Sequence, residues 1–215
     1  KNIKFINGKG TQGSAVYIEA KNVRIENCIF EDNHANKCGA VHTEMDLNTV
    51  SGLIVDNCEF RRNNCYFDNL DAESSGAGLT MYGINSEVKN SIFEDNWIKS
   101  NVACYGGAIQ VGLDLPGSNS KVTNCVFKNN QAISTSSLSH GGAGCVREGS
   151  SYTNCIFINN CADEGGALTF HSSGVLKNCT FVNNRANIYG GALSTGLLYD
   201  YMVMNIIDCN FEGNT

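Results

Sequence analysis

Four carboxylates stand first among the side chains that could do acid–base chemistry: Glu44, Asp46, Asp114 and Glu148, with Arg147 beside the last. Glycoside hydrolysis needs two carboxylates held at a fixed separation, about 5 to 9.5 Å depending on mechanism. A lyase needs calcium-binding acids, or a base such as Arg or Lys next to them. Here the acids fall at different offsets from the repeated segments described below, and they read as solvated turn residues. His34, His42, His140 and His171 share no metal-like spacing and read as surface residues. None of the eleven cysteines forms a C-x-x-C pair. No nucleophile elbow, P-loop or dinucleotide fingerprint is present. No catalytic residue, no metal site and no cofactor is therefore expected.

The elements that would carry these residues are set by a repeat. N-C-x-F-x-x-N runs from Asn27 to Asn33 and returns at Asn57 to Asn63, Asn124 to Asn130, Asn154 to Asn160 and Asn178 to Asn184. Variants run from Asn90 to Asn96, with Ser91 for Cys, and from Asp208 to Asn214; Asn2 to Gly8 is a degraded copy around Phe5. The eight phenylalanines of this motif, of ten in the chain, are spaced by 25, 30, 33, 34, 30, 24 and 30 residues. A Gly-Gly-Ala-apolar motif alternates with this one, at Gly106 to Ile109, Gly165 to Leu168 and Gly190 to Leu193. Looser copies are Gly13 to Val16, Cys38 to Val41, Ser75 to Gly78 and Gly141 to Gly144, so Gly78 and Gly144 stand at the apolar position. A third apolar column lies five residues before each Phe: Ile25, Val55, Val88, Val122, Tyr152, Leu176 and Ile206.

All three segments alternate with period 2, the mark of a strand with one face inward. No helical period is sustained. The sequence predicts an all-β, right-handed parallel β-helix of about seven three-strand rungs, stacked about 4.8 Å apart. The phenylalanines from Phe30 onward should form one buried stack, with the cysteines Cys28, Cys58, Cys125, Cys155, Cys179 and Cys209 in a parallel stack of thiols. The repeated asparagines suit turns and ladders at equivalent corners. Asn178-Cys179-Thr180, the one N-glycosylation sequon, lies in this core motif, which argues against its occupancy.

Composition narrows the function classes. With 17% charged residues, net charge −6 and no Lys/Arg run, the chain is a poor nucleic-acid binder. No apolar run approaches the length of a membrane span. Eleven cysteines are many for a cytosolic protein and unusual for a secreted one; Cys65 and Cys104 lie in neighbouring insertions and could pair.

Those insertions are the informative irregularity. From the Asn ending F-x-x-N to the Ala of Gly-Gly-Ala, the outer rungs use seven or eight residues and the three middle rungs use 14, 12 and 13. The extra segments are about Asn64 to Ser75, Trp97 to Tyr105 and Gln131 to His140. In a stacked fold, insertions at one corner are neighbours and often form the binding face. They carry Tyr66, Phe67, Trp97, Tyr105 and His140, the candidate binding residues. One protruding patch is expected there, with Tyr66, Trp97 and Tyr105 partly exposed; collapse of these rings onto the loops is the alternative.

The alternation of Gly-Gly-Ala with F-x-x-N resembles polymorphic outer-membrane-protein repeats. The form Asn178-Cys179-Thr180-Phe181-Val182-Asn183-Asn184-Arg185-Ala186, followed by Gly190-Gly191-Ala192-Leu193, also resembles adhesin-like β-helix proteins of archaea and bacteria. The resemblance covers almost the whole chain. It implies a pectin-lyase-like fold, an extracellular or cell-surface location, and a role in adhesion as a passenger or stalk. One β-helix domain over residues 1–215, a segment of a longer surface protein, is the expected organisation. The expected partner is a surface protein or glycan of another cell. Two alternatives stand beside this: a carbohydrate-active enzyme, either polysaccharide lyase or glycoside hydrolase, with an acidic groove, and a purely structural stalk.

Overall fold

The computed structural model describes residues 1–45, 51–67, 74–112, 118–196 and 202–215, the side chain of Phe67 excepted. Asp46 and Asp114, two of the four candidate acids, lie outside the described residues. The described chain contains only short strands, every pairing is parallel, and successive rungs register residue to residue.

Each rung has four faces rather than three. The phenylalanine face has eight strands, from Lys4–Ile6 through Ile92–Glu94 to Asn210–Glu212. A seven-stranded face follows the Gly-Gly-Ala motif, from Val16–Ile18 to Leu193–Thr195. Another seven-stranded face, from Arg24–Glu26 to Met204–Ile207, carries the third apolar column. The face missed by sequence reading lies just after F-x-x-N and holds ten strands, from Lys9–Gln12 to Arg185–Tyr189. Its period-2 signal is weak because most of its inward residues are small, Ala35, Cys65, Ala132 and Ala162, with Ile98 the larger exception. This is the insertion face. In the three middle rungs the insertion splits this face into two short strands, joined in the fourth and fifth rungs by the non-strand segments 101–103 and 135–138. The strands are Asn64–Phe67 and Ser74–Ser75, Trp97–Ser100 and Cys104–Tyr105, and Gln131–Ser134 and Ser139–His140, each paired with its equivalent in the neighbouring rung. A satellite apolar cluster of Cys65, Ala77, Ile98, Cys104, Ala132 and Ala162 lies beneath them.

The main core is a column of rings. Phe5, Phe30, Phe60, Phe93, Phe127, Phe157, Phe181 and Phe211 stack with centroids 4.6 to 4.9 Å apart and planes within 10°. Aromatic pairs of this kind contribute about 0.5–1.5 kcal/mol each beyond area burial. Phe30 to Phe181 are fully buried, but Phe211 is 44% exposed. The expectation of a wholly buried column therefore fails at Phe211, because the last ring of a stack has a neighbour on one side only.

Two asparagine ladders frame the phenylalanine face. The outer one uses the first Asn of the motif, which sits in the left-handed region that Asn tolerates: Asn27, Asn57, Asn90, Asn124, Asn154 and Asn178 have φ between 51° and 54°. Their exposed amides link rung to rung, as in Asn154 Nδ2 donating to Asn124 Oδ1 at 3.2 Å. Asn178 belongs to this ladder and faces solvent rather than the core. The inner ladder uses the last Asn. Asn63 Nδ2 donates to Phe30 O and to Asn96 Oδ1, and the same pattern repeats through Asn96, Asn130, Asn160 and Asn184. These five amides are fully buried.

The cysteine column behaves as expected of small buried thiols from Cys28 to Cys179, while Cys209 is only partly buried. Each Sγ lies 3.3 Å from the carbonyl two residues before it, for example Cys125 Sγ to Thr123 O. Ser91 fills its vacancy in kind, accepting from Cys58 N at 3.1 Å and donating to Lys89 O at 2.7 Å. None of the eleven cysteines is in a disulfide. Cys65 and Cys104 share the satellite cluster but are not bonded, and burial raises both thiol pKa values, that of Cys104 to about 12.

The Gly-Gly pair makes the bend into the next face. Gly106 has φ 72°, and a Cβ there would lie 2.1 Å from Ile109 O. Gly107 has ordinary φ, but a Cβ would lie 2.1 Å from Gly142 O of the next rung. In the third rung the register differs from the sequence alignment by one residue. Leu79, not Gly78, pairs with Ile109, so Gly78 takes the Ala position. Gly144 does stand at the apolar position, paired with Ile109 and Leu168. A Cβ there would be 3.0 Å from the Tyr152 hydroxyl, so the large Tyr152 ring occupies the room that Gly144 leaves.

Candidate functional site

The bend at Gly-Gly-Ala folds the insertion face against the next one and leaves a concave corner on the outside of the prism. Three columns line it. The last residue before the glycine gives Ser75, Tyr105, His140, Glu164 and Tyr189, each in register with the next. The middle residue of the following strand gives His42, Thr80, Gln110, Cys145, Thr169 and Ser194. The residue just after that strand gives Glu44, Arg147, His171 and Gly196.

In rungs four to six these columns converge on one cluster. Tyr105 stacks on His140 with centroids 5.1 Å apart and planes 9° apart. His171 meets both rings edge-on, 5.3 Å from Tyr105 and 5.0 Å from His140. The Arg147 guanidinium lies over the Tyr105 ring, 5.0 Å from its centroid, within cation–π range. Glu164 Oε2 is 3.2 Å from His140 Nδ1. That contact lacks hydrogen-bond geometry, so it is a close charge–ring approach rather than a made bond. A groove of about 690 Å3 opens over the cluster, lined by Tyr105, His140, Glu164 and His171, with Leu138, Tyr189, Leu193 and Ser194 beyond.

Both histidines of the cluster are held neutral. Burial, reinforced by Arg147 and His140, lowers His171 to about 3. Burial also lowers His140, against the opposing pull of Glu164. His171 is only 4% exposed, and neither ring nitrogen has a hydrogen-bond partner among the described residues. An unpaired buried polar group costs about 1–3 kcal/mol.

A second, smaller ring cluster lies in the same corner nearer the N-terminus. Tyr17 stacks on His42 at 5.5 Å, and His42 meets Tyr82 edge-on at 5.6 Å. The Tyr17 hydroxyl donates to Glu44, which raises its pKa to about 12. Burial lowers His42 to about 4. His42 and His171 are thus interior side chains, at 2% and 4% exposure, not the surface residues expected from sequence.

The five sequence-nominated residues divide into two groups. Tyr105 and His140 stand together in the groove. Trp97 lies in the upstream strand of the insertion face, in register with Asn64 and Gln131. Tyr66 is in register with Lys99, whose ammonium sits 5.6 Å from its ring centroid. The backbone of Phe67 pairs with Ser100. Tyr66, Trp97 and Tyr105 are half-buried, and among the described residues no ring contact joins Trp97 to the Tyr105–His140 stack. Sequence reading missed His171 and Arg147 as partners of Tyr105, and Glu164 as the neighbour of His140. Their common offset from Gly-Gly-Ala, directly before or four residues after its Ala, was the signal available.

Of the candidate acids, Glu44 and Glu148 follow strands three rungs apart, Val41–Thr43 and Gly144–Val146. At about 4.8 Å per rung that is about 14 Å, too far for a hydrolytic pair. Glu148 accepts from Ser172 Oγ. Among the described residues no group of three or more His, Cys, Asp or Glu is arranged to hold a metal ion.

Four parallel sheets wound around one ring stack, with a groove outside one corner, define a parallel β-helix protein. The sequence model described as a right-handed β-helix region matches residues 1–215, and the chain belongs to that family. No curated protein and no solved structure matches it. The β-helix fold is shared by adhesins and pectin-lyase-like enzymes.

Proposed function

We propose that this chain is a non-catalytic binding segment of a cell-surface adhesin, a stiff β-helix that presents its outer corner to a glycan or protein of another cell. The observation that carries the reading is the Tyr105–His140–His171 ring cluster, open to a groove and built on the rungs that carry the insertions. Rings supply large contact area at little entropic cost, which suits recognition. Trp97 and Tyr66, on the adjoining insertion face, extend the same side of the molecule. The carbohydrate-active alternative keeps one supporting feature, the close approach of Glu164 to His140. The described acids at the repeated corner do not pair, which favours binding over hydrolysis.

The test is a glycan array and a cell-attachment assay run beside a polysaccharide degradation screen. Retention on a subset of glycans or cells, weakened about tenfold or more by Tyr105→Ala and without release of new sugar ends, is the expected result. Release of oligosaccharides would replace this reading with the enzymatic one. Absence of any retention would leave the structural stalk.

A further inference from the structure

We propose that the outer surface of the phenylalanine face is a self-association surface, through which two copies of this chain lie face to face. It is a different side of the molecule from the groove, and the proposal does not depend on what the groove binds.

Each strand of that face turns its Phe inward and its first and third residues outward. In the fourth to seventh strands, Ile92–Glu94, Val126–Lys128, Ile156–Ile158 and Thr180–Val182, five of the eight outward residues are aliphatic. They stand in register from rung to rung, Ile92 with Val126, Val126 with Ile156, and Ile158 with Val182. None of the five is buried, and Ile156 is 41% exposed. β-branched side chains suit any strand, but strand propensity alone does not account for the patch. Over the same rungs the adjoining face, which carries the third apolar column, holds one outward aliphatic residue, Val175. Its other outward positions include Lys89, Lys121, Thr153 and Lys177. Exposed amides border the aliphatic patch, Asn154 and Asn178 on one side and Asn159 and Asn183 on the other. An apolar centre with a polar rim is the anatomy of an association surface.

The charge pattern favours a second copy as the occupant. In the third-residue column Glu31, Arg61, Glu94 and Lys128 alternate in sign. Within the chain Glu59 pairs with Arg61 and Glu94 with Lys128, each at 2.8 Å. This pattern is self-complementary. With a two-fold axis along the prism each rung meets its own copy, so Ile156 faces Ile158 and Glu59 faces Arg61 of the other copy. With a two-fold axis across the prism the first rung meets the eighth, so Ile92 faces Val126 and Glu94 faces Lys128 of the other copy. In neither arrangement does a residue directly face a like charge, which would be repulsive. The face has eight strands. At the usual spacings it spans about 34 Å along the prism and about 16 Å between its asparagine borders. Two copies then cover on the order of 1,100 Å2 in total, the low end of specific interfaces, so a reversible dimer is expected rather than an obligate one. The groove, at the far edge of the insertion face, stays open on both copies, so a pair would engage its target bivalently.

Sedimentation velocity on the whole chain tests this, over concentrations on the order of 5 to 500 μM, where a weak interface titrates. The average mass should rise from that of one chain toward that of two. The double variant Ile156→Glu/Ile158→Glu should raise the dissociation constant about tenfold or more, because it sets carboxylates into the apolar centre of both copies. Glu59 and Glu94 already occupy the same two columns, so the fold tolerates the change. Val175→Glu, the matching change on the adjoining face, should leave association unaltered. Circular dichroism and thermal unfolding check that each variant keeps the fold. A single chain at every concentration overturns the proposal and leaves the aliphatic ladder to rung-to-rung packing or to a different protein. Association that survives the double variant, or that is lost equally in Val175→Glu, places the contact elsewhere and overturns it as well.

Discussion

Asn130 shows how much one side chain does in this fold. Its Nδ2 donates to Phe93 O at 2.9 Å and Asn160 Oδ1 at 3.0 Å, and its Oδ1 accepts from Asn96 N and Nδ2 at 3.0 Å. Truncation strands several buried groups, each worth about 1–3 kcal/mol. Asn130→Ala should therefore cost about 3 kcal/mol or more by urea denaturation. Asn154→Asp, in the exposed outer ladder, should change stability by less than about 0.5 kcal/mol; Asp208 already occupies the equivalent corner with φ 51°. Histidine burial sets a pH dependence. His42 in the folded state titrates near 4, below the ordinary value of 6.5. The unfolded chain thus takes up a proton first as pH falls through 6.5, and stability declines from there toward 4. His42→Asn should show a shallower loss between pH 6.5 and 5 than the parent chain. An identical slope would mean that His42 is not held neutral by burial.

At the scale of elements, the strands are matched across the prism. Gly144 leaves a gap in one face, and Tyr152, on the next face of the same rung, fills it. Gly144→Val should overpack and cost about 1–3 kcal/mol, while Tyr152→Val should leave a cavity and cost about 3 kcal/mol. The double variant should lose less than the sum by about 1 kcal/mol or more, measured as a double-mutant cycle. Additive losses would show that the two sites are independent. The Tyr152 hydroxyl has no partner among the described residues, so Tyr152→Phe should be neutral or stabilising by about 1 kcal/mol.

At the scale of the whole molecule, each rung touches only its neighbours, and stability is close to a sum of rung and interface terms. Protection against hydrogen exchange should therefore rise toward the middle. The amides of Phe60, Phe93 and Phe127 should exchange slowest, and those of Phe5 and Phe211 fastest in that column. Uniform protection along the column would point to a single cooperative unit instead. In the middle rungs the strands that flank the insertions pair from rung to rung and bury the satellite cluster of Cys65, Ile98 and Cys104.

The parallel β-helix, the phenylalanine stack, the cysteine column and the corner asparagines were all readable from the sequence. Each is a local pattern repeated on every rung, and stacking only multiplies it. The fourth face was not readable, because alternation of Ala and Cys with polar residues leaves little hydrophobic contrast. The one-residue shift at Gly78 was not readable either, since Ser75-Gly76-Ala77-Gly78 fits the motif in two registers and only the pairing of Leu79 with Ile109 chooses. The groove depended most on tertiary structure. Tyr105, His140, Glu164, Arg147 and His171 come from three rungs and both sides of a bend. Their meeting follows from the angle between two faces, and so does the burial that holds His171 neutral, an angle that no periodicity along the chain encodes.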